Sequence, residues 1–172
     1  MMKVILLGYM GSGKSTVAKM LAQKRQLPHC DLDAMIEEKA GMPVKEIFSA
    51  KGEIHFRKLE HELFHQLMEK KEDFVVSLGG GTPCYANNHL LFTAENTISI
   101  YLKASIDELY NRLTDEKHHR PLIANEHLDE MKEFIAKHLF ERSYFYNQAM
   151  HTVTVDGKSA EEIVLEVEKL LI

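Results

Sequence analysis

Val4–Leu7 are apolar and Gly8 stops the run, so Lys3–Leu7 predicts a buried strand. After a glycine-rich stretch, Val17, Ala18 and Leu21 fall at helical spacing within Lys14–Arg25. Pro28–Asp31 predicts a short second strand. Leu32–Ala40 and Val44–Ala50 predict short helices divided by Gly41 and Pro43. Glu53–Lys70 places Phe56, Leu59, Leu63, Phe64 and Leu67 on one helical face. Phe74–Leu78 predicts a third strand, ended by Gly79-Gly80-Gly81, and the alternating, β-rich Asn96–Leu102 predicts a fourth. Ser105 and Glu108 have the spacing of a capping box for a helix through Leu113. Thr114–Asn125 is polar and aperiodic and predicts a loop. His127–Met150 predicts a long helix with Leu128, Met131, Ile135 and Leu139 inward. Thr152–Val155 predicts a fifth strand, and Ser159 with Glu162 caps a last helix to Leu171. Strands alternating with helices argue a parallel sheet covered on both faces.

The chain has 172 residues and no internal repeat, low-complexity tract or linker, so residues 1–172 are expected to form a single domain. With 45% hydrophobic and 27% charged residues it is not a disordered chain. A net charge of -5 argues against a nucleic-acid partner. Cys30 and Cys84 cannot make a disulfide framework and fit a reducing compartment. No stretch approaches a membrane span or a signal-peptide core, so a cytoplasmic protein without a membrane partner is expected. Lysine is the default cation. Against 16 lysines stand five arginines, at positions 25, 57, 112, 120 and 142. Arginine's rigid fork suits sites where phosphate or carboxylate must be gripped.

Gly8-Tyr9-Met10-Gly11-Ser12-Gly13-Lys14-Ser15 matches the phosphate-binding pattern G-x-x-x-x-G-K-[ST]. It lies between a predicted strand and a predicted helix, as the motif requires. Its glycines let backbone amides wrap phosphate oxygens, and the helix offers its positive N-terminus. The run Gly11, Ser12, Gly13, Lys14, Ser15 and Thr16 is therefore the expected ATP-binding segment. Lys14 is the point charge for the β- and γ-phosphates, and the Ser15 hydroxyl is a Mg²⁺ ligand. Composition alone produces the pattern roughly 0.004 times per chain, which makes a fortuitous turn a poor explanation.

A rival motif exists. His61-Glu62-Leu63-Phe64-His65 is an H-E-x-x-H string on a predicted helix. Chance gives it roughly 0.06 times per chain, and no further ligand motif follows. His61 and His65 read more simply as the wet side of a helix with Leu63, Phe64 and Leu67 inward. The N-K-x-D and D-x-x-G strings of GTPase switches do not occur, and the Phe74–Leu78 strand ends in glycines rather than an acid.

In this order the residues resemble the shikimate kinase family, on the nucleoside-monophosphate-kinase-like P-loop fold. The resemblance rests on Gly8–Ser15, Asp31-Leu32-Asp33 and Ile47-Phe48. It continues through Gly52-Glu53, Phe56-Arg57, Glu60, Gly79–Gly81, Arg120-Pro121-Leu122 and Arg142 with Tyr146 and Ala149. It spans essentially the whole chain. Gluconate and nucleoside-monophosphate kinases share the loop and the fold but not this set. They are the nearest alternatives, and a non-catalytic nucleotide-binding module is a more distant one.

The resemblance implies a three-layer α/β/α sandwich around a five-stranded parallel sheet of order 2-3-1-4-5, with a mobile lid at about residues 114–125. A helical region at about residues 32–60 would bind the substrate. It implies transfer of the γ-phosphoryl group of ATP to the 3-hydroxyl of shikimate, in aromatic amino-acid synthesis, with Mg²⁺ and in a monomer. Arg57 and Arg142 would hold the shikimate carboxylate, with Glu60 orienting Arg57. Asp33 and the Gly79, Gly80 and Gly81 backbone would fix the ring hydroxyls. Asp31 would hold Mg²⁺ through water beside Ser15. Lys14 and Arg120 would stabilise the transferring group, Arg120 arriving by lid closure. Arg112 resembles an adenine-stacking arginine, and Asp156–Ser159 an adenine-side turn. An extended chain through Asp31 and Asp33 would aim both carboxylates at one site, Asp31 toward the metal and Asp33 toward substrate. The plainer reading of Asp33 is a helix cap. His118 and His119, Gln148, and Pro83 with Cys84 depart from the family pattern without touching an assigned residue.

Overall fold

Every residue of Lys3–Leu7 (β1) is buried. A strand shielded on both faces is what its unbroken apolar run requires. The computed structural model describes residues 1–116 and 128–172. β1 lies at the centre of a five-stranded parallel sheet flanked by helices, of order β2-β3-β1-β4-β5. The other strands are His29–Asp31 (β2), Phe74–Ser77 (β3), Thr97–Lys103 (β4) and His151–Thr154 (β5). The register sets Lys3 opposite both Phe74 and Thr97, so β1, β3 and β4 start level, and β1 and β3 end within a residue of each other at the edge where the glycine-rich loops begin. Crevices outside the carboxyl ends of such strands are where α/β folds bind ligands.

The helices are Lys14–Arg25 (α1), Leu32–Ala40 (α2), Val44–Lys51 (α3), Glu53–Glu69 (α4), Ile106–Glu116 (α5), Leu128–Tyr146 (α6) and Ala160–Leu170 (α7). α1 packs on α7 and β3, α4 packs on α2 and α3, and α5 packs on α6. Phe56, Phe64 and Leu67 of α4 and Met131 and Ile135 of α6 enter the core. Among the described residues no helix is long and apolar enough to cross a membrane.

Several boundaries differ from expectation, each for a local reason. α5 runs to Glu116, so Thr114–Glu116 are helical rather than part of a loop. Asp115 is exposed on a helix whose Leu109 and Leu113 are buried, and the Thr114 hydroxyl donates back to the Tyr110 carbonyl at 2.7 Å. α6 stops at Tyr146, short of Met150. Tight turns from Phe145 to Gln148 and Tyr146 to Ala149 swing the chain into β5. Ser105 caps α5 by accepting from the Glu108 amide at 3.1 Å, but the box is half-made. The Glu108 carboxylate takes Arg112 instead, and the Ser105 amide donates to Asp156. The Ser159–Glu162 box has both arms. Two 3₁₀ segments, Thr82–Cys84 and Asn88–Thr93, were not expected. The second buries Asn88 and Phe92.

Candidate active site

The loop from Gly8 to Gly13 leaves the end of β1 and turns into α1. Gly13 is the helix N-cap at φ 93°, a left-handed conformation that side chains resist, and no side chain caps the helix. Lys14 folds back over the loop. Its ammonium donates to the Gly8 carbonyl at 2.8 Å and the Tyr9 carbonyl at 3.0 Å. A cleft of about 390 Å³ opens beside it, lined by residues 10–17, Asp31, Asp33, Leu78–Gly80, Arg112, Ala160 and Ile163.

Ser15 Oγ donates to Asp31 Oδ2 at 2.9 Å, and Ser77 Oγ donates to the same oxygen at 3.2 Å. The other Asp31 oxygen accepts from the Ala34 amide at 3.0 Å, so Asp31 is the N-cap of α2. The expected extended geometry through Asp31 and Asp33 is therefore corrected. Asp31 ends the strand and Asp33 lies in the first helical turn. Both still line the cleft, because α2 starts at its rim. Capping, the plainer role weighed for Asp33, belongs to Asp31.

Burial pushes the Asp33 carboxyl up to about 6, with further upward pressure from Asp31 and Glu60 and an opposing pull from Lys14. The protonated form is thus favoured by folding. Its stabilising contribution is full below the ordinary carboxylate value and is lost as pH rises through about 6. Asp33→Asn should therefore be more stable than the unchanged protein near pH 8, by about 1–3 kcal/mol, with the gap closing toward pH 4. Thermal unfolding across that range checks it; a gap that does not change with pH would remove the argument.

The three glycines after β3 each lie against one candidate side chain. A Cβ on Gly79 would stand 2.9 Å from Asp33 Oδ1, and on Gly80 3.2 Å from Arg142 Nη1. On Gly81 it would stand 2.6 Å from Arg57 Nη2. Bare backbone is what lets a carboxylate and two guanidiniums converge on one short segment. Arg57 Nη1 bonds both oxygens of Glu60, at 2.9 and 3.2 Å. That pair is no surface contact, because Glu60 is 1% exposed. The Arg57 guanidinium also lies 4.0 Å from the Tyr85 ring centroid. Arg142, on α6, sits 5.7 Å from the Tyr9 ring centroid, and Tyr146 Oη one turn on donates to the Gly80 carbonyl at 2.6 Å.

Arg112 reaches across from α5. It pairs with Glu108 at 2.8 Å and donates to the Gly11 carbonyl at 3.2 Å, which puts it on the cleft wall beside the phosphate loop. In the Asp156–Ser159 turn, Asp156 caps toward Ser105 and Lys158 pairs with Glu166. The neighbouring Ala160 and Ile163 line the cleft. Arg120 and most of the expected lid lie outside the described residues. His61 and His65 are half-buried rather than wet. Their ring centroids lie 3.9 Å apart with the planes tilted by 44°, and His61 Nδ1 meets Asn88 Oδ1 at 2.9 Å. Among the described residues no third His, Cys, Asp or Glu completes a metal-holding group with them.

A family model described as shikimate kinase matches residues 10–171. A shikimate kinase of Flavobacterium johnsoniae is 56% identical over 171 residues, covering 99% of each chain. The chain belongs to the shikimate kinase family. Among solved structures, a shikimate kinase from Bacteroides thetaiotaomicron is similar with a TM-score of 0.90 at 34% identity, covering 99% of this chain and 98% of that one. One from Acinetobacter baumannii, in complex with shikimate, is similar with a TM-score of 0.87 at 27% identity, covering 99% of this chain and 93% of that one.

The shikimate kinase site is supported by residues whose role no sequence pattern signals. Tyr9, 1% exposed, bonds His138 of α6 at 2.9 Å and so ties the phosphate loop to the helix that carries Arg142. Burial raises the Tyr9 phenol to about 12, so it stays a neutral partner at any working pH. Thr82 bonds Glu60, Tyr85 lies under the Arg57 guanidinium, and Asn88 bonds the Thr82 carbonyl. Tyr9 was hidden inside the loop motif as a variable position. The others sit in 3₁₀ segments or their flanks, which have no periodicity to read.

Proposed function

We propose that the protein catalyses transfer of the γ-phosphoryl group of ATP to the 3-hydroxyl of shikimate. The observation that carries this reading is the placement of Asp33, Arg142 and Arg57 against Gly79, Gly80 and Gly81, beside the cleft that holds Lys14 and Ser15. Shikimate is a small ring with one carboxylate and three hydroxyls. Two guanidiniums and one carboxylate around a bare backbone segment suit such a molecule.

In this reading the loop amides of Gly11–Thr16 cradle the ATP phosphates, and Lys14 swings its ammonium from the Gly8 and Tyr9 carbonyls onto them. Arg112 borders the nucleotide on the α5 side. Arg57 and Arg142 grip the carboxylate of shikimate, and Asp33 accepts from a ring hydroxyl. A loose phosphoryl-transfer transition state asks little of a base, so Asp33 acts first by holding the hydroxyl in line. Arg120, from the expected lid, adds positive charge at the transferring group.

Ser15 and Asp31 present hard oxygens within one hydrogen bond of each other beside Lys14, and this donor set suits Mg²⁺. Ser15 would bind it directly and Asp31 through water. When bound, Mg²⁺ neutralises charge on the β- and γ-phosphates. The two free cysteines, Cys30 and Cys84, support a reducing, cytoplasmic setting for the reaction.

A coupled ADP-release assay with shikimate, gluconate and nucleoside monophosphates tests the reading. Turnover is expected with shikimate alone, dependent on Mg²⁺. Turnover with another acceptor and none with shikimate would replace it.

A further inference from the structure

Glu60 and Thr82 are buried, yet both are polar. A buried carboxylate is tolerable only when its oxygens are met. Arg57 meets one side of it, and Thr82 Oγ1 donates to Oε2 at 2.8 Å from the other. The Thr82 carbonyl in turn accepts from Asn88 Nδ2 at 3.0 Å. Asn88 is itself fully buried, and its Oδ1 faces His61 Nδ1 at 2.9 Å. One continuous line of hydrogen bonds thus runs from Arg57 through Glu60, Thr82 and Asn88 to His61, back on the helix where it started. Thr82, Asn88 and His61 stand outside the cleft.

The line has a mechanical consequence. A guanidinium on a long side chain has many orientations, and only a few present two N–H groups to an incoming carboxylate. Glu60 selects among them because it bonds Nη1. Glu60 could rotate about its own carboxyl group, were it not for the Thr82 hydroxyl on Oε2. Asn88 fixes the Thr82 backbone, which directly follows the glycine against which Arg57 packs.

We propose that Thr82 and Asn88 are positioning residues for Arg57, acting through Glu60, and that they set the enzyme's affinity for the carboxylate of its acceptor. This rests on the reading of Arg57 as a carboxylate grip.

The test compares Thr82→Val, which keeps the shape and removes the hydroxyl, with Thr82→Ser, which keeps the hydroxyl. Steady-state constants are measured for ATP, for shikimate and for its carboxamide. Thr82→Val should raise the KM for shikimate by about 5- to 20-fold, less than the full loss of a hydrogen bond to a charge because the effect reaches the substrate only through Glu60 and Arg57. Its kcat and its KM for ATP should stay within about twofold of the unchanged protein. The preference for acid over carboxamide should shrink, and Asn88→Ala should shrink it too. Thr82→Ser should restore both values. A Thr82→Val protein with an unaltered KM for shikimate overturns the inference. So does an equal rise for acid and carboxamide, or for shikimate and ATP, and so does a serine variant as weak as the valine one. If the unchanged protein does not phosphorylate shikimate at all, the functional reading fails first and takes this inference with it. If it does and Thr82→Val behaves like it, this inference alone fails.

Discussion

Lys14→Ala should lower shikimate-dependent ADP release by about a thousandfold while the protein remains folded. In the structure the ammonium donates to backbone carbonyls of its own loop, at Gly8 and Tyr9. Its removal leaves the packing of Val17, Ala18 and Leu21 untouched. The cost in stability should be about 1–3 kcal/mol, the size expected when buried acceptors lose their donor. The cost in catalysis is of another order. A preorganised positive charge at the phosphates is worth most when negative charge shifts during transfer. Lys14→Arg should also fail, since a planar fork cannot occupy the position of a compact ammonium between two carbonyls. Thermal unfolding and turnover measured on the same preparation check both statements. A variant within tenfold of normal turnover would end the phosphate-loop assignment.

Arg142→Ala should weaken shikimate binding by roughly 2–4 kcal/mol, and by more than Arg57→Ala does. The difference comes from what surrounds each guanidinium. Arg57 is already answered by Glu60 at 2.9 Å and Glu53 at 3.7 Å. The ionisable groups against Arg142 among the described residues are Tyr146, Cys84 and Tyr9, and none is a carboxylate. Burial raises the Tyr146 phenol and lifts the Cys84 thiol to about 11, so they supply no negative charge near neutrality. The carboxylate of the acceptor would be the first full counter-charge that Arg142 meets. Calorimetric titration with shikimate and with its carboxamide measures this. The acid should suffer most from Arg142→Ala, and ATP affinity should barely move. Equal losses for acid and amide would refute the grip.

The strands were legible because a sheet buried on both faces leaves unbroken apolar runs, and Lys3–Leu7 and Phe74–Ser77 emerge within a residue of their expected ends. The sheet order is not encoded in any run. It came from the family resemblance, and the structure has that order. Helix ends were harder. Thr114–Glu116 look like loop because polarity on an outer helical face and polarity in a loop are the same letters. The phosphate loop, Asp31, Asp33 and the three glycines could be picked out because their chemistry demands particular residue types. Their geometry was less accessible. Two aspartates two residues apart face one way only if the chain stays extended, and here a helix begins between them. Thr82 and Asn88 could not be read at all. Their importance comes from contacts with Glu60 and His61, 22 and 27 residues away. Nothing in a one-dimensional pattern distinguishes such residues from ordinary loop polars.

The crowding of Gly79, Gly80 and Gly81 also bears on how this site could escape an inhibitor. A compound that mimics the acid substrate and rests on that backbone segment touches atoms common to every amino acid. Escape by mutation would need a side chain at one of the three positions to push the compound away. Any such side chain first meets Asp33, Arg142 or Arg57, at 2.6 to 3.2 Å from its Cβ. Resistance at these positions would disable the groups that recognise the natural acceptor. Evasion is left to residues at the rim, such as the half-exposed Tyr85 over Arg57, where substitution spares the three glycines.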